Sequence, residues 1–376
     1  MLRFAALGIA LLNTVAAGQS MSPAQAQALE QQGRLDDAAR AWRTITRQRP
    51  RDAAAFASLG VVLSREGKYE QAVSAYRKAL TLNARLPGVE LNLGLAEFKR
   101  GHFDSAVAPL QAALKADPSS TQARTLLGIS YYGCMRFADA IHYLEPLAQV
   151  DPNNTELHRV LAQSCLSAKQ YQCAVEEFRH ILEKDPDSAA AHILTGEALD
   201  GLGKTPEAIR EFEAAAEVSP HEPNVYFGLG YLYWKSNQYD EAEDQFQRQV
   251  SLDPGNAQAL AYLGDIEMKR SHPDKALSYL RSAVQARQDI RMAYLDLGAI
   301  LTEQQHYSDA IAALRRAVEL DPSQADAHYR LGRVYQNTGN TSAAKSELKK
   351  VQELRLQADE DMATKMAGAA ARKSSP

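Results

Sequence analysis

Apolar residues recur along this chain with a period of 34 residues. From Gln19 to Ala358 the sequence aligns in ten successive lines of 34 residues without a gap. Within each line the apolar positions follow helical spacing in two runs, which a glycine such as Gly33 or Gly203 separates near column fifteen, counted from the start of the line. The pattern predicts an all-α chain of ten units, each with a first helix, A, a tight turn and a second helix, B.

Small and bulky residues occupy fixed columns of the repeat. Column twenty is alanine in all ten lines, and column eight is glycine in all but two, which have Ala26 and Ala162. Column twenty-four is always bulky and apolar, as at Trp42 and Phe178. Glycine and alanine allow two helices to approach closely, because a larger side chain would hold them apart. We expect the bulky residue to fill the space that this approach leaves towards the neighbouring unit.

Proline marks the end of most units. It occupies column thirty-two in seven lines, where its missing N–H and its effect on the preceding residue predict the end of helix B. The boundary after the eighth line, at Gln288, has no proline, which predicts a longer or bent helix B there. Pro87 comes three residues late, and this position predicts the first turn of the following helix A.

The repeat resembles the tetratricopeptide (TPR) repeat, whose signature is Leu-Gly in helix A, then Ala-x3-Phe, then Pro. The first line departs from the signature, with Gln25-Ala26 in place of Leu-Gly. The resemblance implies a right-handed superhelical solenoid over residues 18–358, with repeats that begin near 19, 53, 87, 121, 155, 189, 223, 257, 291 and 325. Residues 359–376 are alanine-rich and predict a C-terminal capping helix or a flexible tail.

The first seventeen residues have the pattern of an export signal. Arg3 is followed by the apolar run 4–12, and small residues at 15–17 predict cleavage after Ala17. The pattern predicts a periplasmic or extracellular protein. An uncleaved segment that anchors the chain in the membrane is the alternative, although the run is short for a bilayer span. An apolar first helix that packs on the next helix is another.

Composition narrows the classes of function. The chain has 376 residues, 45% of them hydrophobic, and a net charge of -4, which argues against nucleic acid as a partner. Only 36 residues lie outside the ten lines, too few for a catalytic domain. The sequence therefore predicts a non-enzymatic scaffold without a cofactor. Three cysteines are too few to stabilise a chain of this length by disulfides.

Motifs for metal binding and catalysis are weak. Glu177 and His180 form an E-x-x-H on one helix, but no second pair is placed to face it, and a solvated helix face is the preferred interpretation. Histidine occupies column four at His158, His192 and His328, where the TPR pattern has a large packing residue. Nucleotide-binding P-loop, zinc-protease and nucleophile-elbow motifs do not occur in the sequence. We expect neither a metal site nor a catalytic site.

The cysteines lie close together in sequence. Cys165 falls late in one helix A and Cys173 early in the following helix B, so the two are able to face each other across a turn. In an exported protein this spacing permits a local disulfide that leaves Cys134 free. Pairings with Cys134 and three unbonded cysteines in a packed hairpin remain alternatives.

The resemblance also implies a binding surface. In the TPR family, helix A lines a concave groove with columns two, five, nine and twelve. Carried over to this chain, these columns give the candidate groove residues Leu95, Phe98, Ile129, Tyr132, Phe227, Tyr231, Trp234, Asp265 and Met268. Phe227, Tyr231 and Trp234 share one helix stripe, and aromatic residues commonly contribute most to protein binding. Packing of that stripe on the next helix A is the alternative.

The sequence does not support a site for a C-terminal carboxylate. Family members with such a site use Lys and Asn at columns five and nine, but here Arg159 and Arg333 are the only basic residues in those columns. We expect a scaffold that binds an apolar peptide or helical segment of a partner protein in an exported assembly. The alternatives are an accessory arm of a separately encoded glycosyltransferase or peptidase, and a structural spacer that self-associates.

Overall fold

The structure is a computed structural model that describes residues 21–373, with side chains described to residue 364. The predicted export signal, residues 1–17, lies outside the described residues. All regular secondary structure in the described part of the chain is helical, in twenty α-helices. The predicted all-α fold class is confirmed.

The described part of the chain divides into two compact units, unit 1 up to His180 and unit 2 from Ile181, with the boundary inside α10. Unit 1 contains α1 (Pro23–Gln31), α2 (Leu35–Gln48), α3 (Ala53–Arg65), α4 (Tyr69–Leu82), α5 (Val89–Lys99), α6 (Phe103–Ala116), α7 (Thr121–Gly133), α8 (Phe137–Val150), α9 (Thr155–Ser167) and most of α10 (Tyr171–Lys184). Unit 2 continues with α11 (Ala189–Gly201), α12 (Thr205–Val218), α13 (Val225–Lys235), α14 (Tyr239–Leu252), α15 (Ala257–Lys269), α16 (Pro273–Ala286), α17 (Arg291–Glu303), α18 (Tyr307–Leu320), α19 (Ala325–Asn337) and α20 (Thr341–Lys373).

Odd-numbered helices are the A helices and even-numbered helices are the B helices of successive hairpins. Within a hairpin, as between α15 and α16, the column-eight glycine lies against the column-twenty-four side chain of the same hairpin. A Cβ atom on Gly264 would lie 2.6 Å from Cγ of Leu280. The close approach is therefore confirmed, and the bulky residue also extends to the next hairpin, as where Phe246 of α14 stacks on Tyr262 of α15 with 5.1 Å between ring centroids.

The A–B turn uses a left-handed residue in all ten hairpins. At column fifteen Gly203 has φ +73°, and Gln305 has φ +61°. Five hairpins have glycine at this position, and the other five have Met135, Lys169, Asn237, Ser271 and Gln305. The tight turn is thus a property of the hairpin geometry, and the hairpin imposes it even where the side chain disfavours it.

Pro87 does not lie in a helix, contrary to the expectation from its position. It occupies the first column of its unit, and α5 begins only at Val89, after Gly88 with φ +74°. Asn224, with φ +66°, likewise precedes Val225 at the start of α13. A left-handed residue at column two turns the chain into the helix, so that the preceding proline stays in the loop.

The hairpin boundary at Gln288 also differs from the expectation. α16 ends at Ala286 and has 14 residues, the same length as α18, so helix B is not extended at this boundary. Tertiary contacts stabilise the turn in place of proline: Arg316 donates a hydrogen bond to the Gln288 carbonyl oxygen at 3.2 Å, and Ile290 is buried. Local sequence does not contain this information, because the contacts come from the next hairpin.

The last B helix continues beyond the length of the others. α20 has 33 residues, whereas the preceding B helix, α18, has 14. Leu356 stands at its column thirty-two, where seven other units have proline. Among the described residues, no helix combines the length and the apolar character that a membrane span requires.

Candidate functional site

The candidate site is the surface formed by neighbouring A helices within each unit. In unit 1, α5 contacts α7, and in unit 2, α15 contacts α17 and α17 contacts α19. The sequence-predicted groove residues all lie on A helices and are partly exposed: Leu95, Phe98, Ile129, Tyr132, Phe227, Tyr231, Trp234, Asp265 and Met268. Each of these side chains is therefore partly covered by neighbouring residues and partly accessible to solvent.

In unit 2 these residues form an aromatic cluster, defined as Phe227, Tyr231 and Trp234 of α13 together with Tyr262 of α15. The Trp234 and Tyr262 rings meet edge to face with 5.0 Å between centroids. Tyr231 lies 6.2 Å from Trp234 and 6.0 Å from Tyr262. Buried Phe246 stacks beneath Tyr262 at 5.1 Å, so the cluster rests on the core of the unit.

Hydrogen bonds hold the edge of the aromatic cluster. Trp234 Nε1 donates to Asp265 Oδ2 at 2.6 Å, and Lys269 Nζ contacts Asp265 Oδ1 at 3.0 Å. The Lys269 ammonium also lies 5.7 Å from the centroid of the Trp234 ring. Asp265 thus orients the indole and pairs with Lys269, which places a cation at the edge of the cluster.

Burial keeps the phenol of Tyr262 neutral. Its burial, followed by the charges of Tyr231 and Asp265, raises the pKa of Tyr262 to about 12. The ring therefore acts as a neutral aromatic surface over the physiological pH range. Met268, also predicted for the groove, packs at the margin of the neighbouring hydrophobic core and extends the apolar surface along α15.

The next A helix, α17, carries a buried carboxyl group. Asp296 on α17 is 8% exposed, and its Oδ2 has no hydrogen-bond partner among the described residues. Burial, followed by the nearby charge of Asp265, raises the pKa of Asp296 to about 7, against the lowering effects of Arg330 and Lys269. The carboxyl group therefore changes its protonation state near neutral pH.

In unit 1 the four predicted groove residues do not form a single cluster. Phe98 and Tyr132 pack against one hydrophobic core, and Tyr132 also donates a hydrogen bond to Gln163 Oε1 at 2.8 Å. Leu95 instead lines a pocket of about 270 Å³ together with Val61 of α3. Ile129 lies on α7, at the column that Leu95 occupies on α5.

The column-four histidines form a repeated contact between helices A and B. His158 pairs with Glu177, His192 with Glu211 at 2.7 Å and His328 with Glu347 at 2.6 Å. The second ring nitrogen of His192 contacts the Pro186 carbonyl oxygen at 3.0 Å, and that of His328 contacts the Pro322 carbonyl oxygen at 3.1 Å. These residues pack within hairpins, in agreement with the sequence interpretation.

Glu177 lies in a hairpin contact and not on a solvated face as expected. Its side chain is 16% exposed and pairs with His158, whose ring lies 5.0 Å from that of His180. Within the described residues, no group of three or more histidine, cysteine or acidic side chains is arranged to hold a metal ion.

Cys165 and Cys173 are joined by a disulfide across the turn between α9 and α10, with 5.8 Å between their Cα atoms. Cys134 is unbonded and half-buried, and burial, together with the charge of Asp104, raises the pKa of its thiol. The disulfide ties the two helices of one hairpin within unit 1. The raised pKa leaves the Cys134 thiol largely protonated and weakly nucleophilic.

Several residues of these surfaces were not identified from the sequence. Tyr262 stands at column six, next to the selected column five, and Asp296 occupies the same column one unit later. A basic residue recurs at column thirteen in four units, Arg65, Lys99, Lys235 and Lys269. The cations that border the surface could have been predicted from this recurrence. The burial of Asp296 has no corresponding pattern in the sequence.

Comparison with protein families supports the repeat assignment. Models described as tetratricopeptide repeat match residues 24–88, 193–257 and 227–290, and others with the same description match 63–128, 136–198 and 325–357. A model described as TPR repeat matches residues 298–339. Together the matches extend over nearly all of the ten lines.

Solved structures with similarity to the chain include the TPR protein YrrB, described as having an unusual peptide-binding site. It has 26% identity and a TM-score of 0.40, with 50% of this chain and 100% of YrrB covered. Yeast Tom70 has 15% identity and a TM-score of 0.43 over 93% of this chain and 95% of its own. MamA from MSR-1 has 27% identity and a TM-score of 0.40 over 44% of this chain and 95% of its own. A comparison with curated protein sequences gave no significant match.

Proposed function

The chain is a tetratricopeptide repeat protein, and from this premise we propose that the A-helix surface of unit 2 binds a peptide or helical segment of a partner protein. Proteins of this family are generally interaction scaffolds without enzymatic activity, because stacked hairpins present an extended surface and no catalytic domain. The proposal assigns this general role to particular residues of the chain.

The aromatic cluster carries the proposal. Its three sequence-predicted members remain partly exposed although Tyr262 and Phe246 support them from below. Partly exposed aromatic rings on rigid helices offer large contact areas with little loss of side-chain entropy, which is why Trp and Tyr often contribute most of the binding energy. Asp265 adds rigidity, since it orients the Trp234 indole through a hydrogen bond.

The setting of this interaction is proposed to be outside the cytoplasm. The N-terminal sequence has an export pattern, and the disulfide between Cys165 and Cys173 is of a kind that persists in oxidising compartments. Sequencing of the N-terminus of protein recovered from the native host tests this assignment. A mature protein that begins at Gly18 supports export, and an intact Met1 in a cytoplasmic fraction contradicts it.

The binding proposal is tested by affinity capture from the cell envelope with the full mature chain. Wild type is compared with the double variant Tyr231→Ala/Trp234→Ala and with Tyr226→Ala. Tyr226 is a matched control because it lies on the same helix but contacts Arg248 and not the aromatic cluster. We expect one partner to be captured by wild type and the control and lost with the double variant, while circular dichroism shows that all three proteins are folded. Equal capture by all three would place binding elsewhere.

A further inference from the structure

A separate feature of unit 1 has a defined shape and charge. The pocket of about 270 Å³ lies between α3 and α5, and α4 closes one side of it. Val61 and Leu95 form its apolar wall at column nine of two successive repeats, and Tyr69 and Tyr76 contribute rings from α4. The volume is below the usual range for drug-sized ligands and fits a single aliphatic or aromatic side chain.

Two cations stand at the margin of this pocket. Arg65 and Lys99 line it from column thirteen of the same two repeats, and both are exposed. Among the described residues that line the pocket, none is acidic. In the described part of the chain, neither cation lies within 4.0 Å of a carboxylate, whereas the adjacent Arg100 pairs with Glu97 at 2.6 Å. The pocket therefore combines an apolar interior with a positive margin whose two cations have no carboxylate partner among the described residues.

We propose that this pocket receives one apolar side chain of a partner segment whose neighbouring residues are acidic, so that carboxylates on the segment pair with Arg65 and Lys99. The inference rests on the proposed function in one respect, namely that A-helix surfaces bind polypeptide segments. Burial of the apolar side chain supplies most of the affinity, since its contribution grows with the area removed from water. The two cations select the segment, because exposed ion pairs add modest energy but discriminate strongly against like charge.

The probe is a set of three blocked pentapeptides that differ at their central residues: acetyl-Ser-Asp-Leu-Asp-Ser-amide, the matching Lys-Leu-Lys peptide and the matching Asp-Ser-Asp peptide. Each peptide is titrated into the full mature chain with labelled methyl groups, and the Val61 and Leu95 resonances are followed by NMR. We expect the Asp-Leu-Asp peptide to shift both resonances in a saturable manner, and the other two peptides to bind at least about tenfold more weakly.

A double variant tests the role of the cations. Arg65→Gln/Lys99→Gln is compared with Arg47→Gln/Lys78→Gln, which makes the same change in net charge at exposed positions on B helices. We expect the pocket variant to weaken the Asp-Leu-Asp peptide about fivefold to tenfold and the control to leave its affinity unchanged at moderate salt. Raising the salt concentration should reduce the difference between wild type and the pocket variant.

Three outcomes would overturn the inference. They are equal binding of the Lys-Leu-Lys peptide, equal binding of the Asp-Ser-Asp peptide, and the absence of any shift at Val61 and Leu95. None of these outcomes bears on the aromatic cluster of unit 2, whose capture experiment uses other residues and another readout. Loss of capture with Tyr231→Ala/Trp234→Ala together with any of the three would leave the proposed function standing and remove only the pocket assignment.

Discussion

The indole nitrogen of Trp234 donates a hydrogen bond of 2.6 Å to Oδ2 of Asp265, which lies on the next A helix. Because Asp265 is 13% exposed and also pairs with Lys269, the bond joins two successive hairpins through one partly buried carboxylate. The contact explains why these two residues, predicted separately for the groove, behave as one structural element.

A double-mutant cycle measures the energetic coupling between Trp234 and Asp265. We expect Asp265→Ala to lower the free energy of unfolding by about 1–3 kcal/mol, because a hydrogen bond to a charged group is lost. Trp234→Phe should lower the free energy of unfolding less, since the variant keeps an aromatic ring at this position. The coupling between the two changes should be about 1 kcal/mol in urea denaturation. A coupling close to zero would contradict the bond.

The close approach at column eight predicts a steric effect. In Gly264→Ala the added Cβ would lie 2.6 Å from Cγ of Leu280, so one helix must move or the leucine must leave its rotamer. We expect a loss of about 1–3 kcal/mol in thermal or urea denaturation. The control is Gly255→Ala in a loop of the same unit, where the nearest atom is 3.4 Å away and the effect should stay within about 0.5 kcal/mol. Equal losses in the two variants would argue against the contact.

The carboxyl group of Asp296 predicts a stability that depends on pH. Its pKa is about 7 in the folded chain and 3.8 for an ordinary aspartate, so the folded state binds the additional proton between these values. The contribution of Asp296 to the free energy of unfolding is therefore fully present below pH 4 and is lost as the pH rises through 7. At about 1.4 kcal/mol per pH unit, the loss has an upper limit of about 4 kcal/mol.

Asp296→Asn removes this dependence. We expect the variant to be more stable than wild type at pH 8 and to approach the stability of wild type at pH 4, as measured by urea denaturation at both values. Asp244→Asn is the control, because Asp244 is exposed on α14 and should produce no such difference. A wild-type advantage at pH 8 would show that the ionised carboxylate is stabilised by its surroundings.

The left-handed turn positions predict a stabilising change. Gln305 is exposed and has φ +61°, a conformation that is unfavourable for a residue with a Cβ atom. We expect Gln305→Gly to raise the free energy of unfolding by about 0.5–1 kcal/mol. The adjacent Gln304 has φ -77°, so Gln304→Gly should lower it by about 0.5–1 kcal/mol. A change of the same sign in both variants would exclude backbone conformation as the cause.

Much of the fold could be predicted from the sequence, because its determinants recur at one spacing. Gly264 and Leu280 stand in columns that repeat throughout the chain, and such repetition separates a structural requirement from chance. The start of α5 after Pro87 could not be predicted in this way, since it depends on the left-handed conformation of Gly88. The turn at Gln288 depends on Arg316, which lies one hairpin later.

The candidate site was less accessible to sequence reasoning. The stripe of Phe227, Tyr231 and Trp234 follows from helical spacing, but the contact of Trp234 with Tyr262 requires the packing of α13 on α15. The charges that act on Asp296 likewise come from other repeats, with Asp265 on α15 and Arg330 on α19, and local sequence does not show that they lie near it. Residues of this kind become visible only when distances between repeats are known.

The length of α20 limits how an array of this type can grow. Repeat proteins lengthen when a 34-residue module is duplicated in register, and each new module needs a turn from which its first helix can begin. α20 passes without interruption through Leu356, the point at which that turn would have to form. A module duplicated at an earlier junction would find a turn already present, whereas one added directly behind α20 would need a new breaker residue.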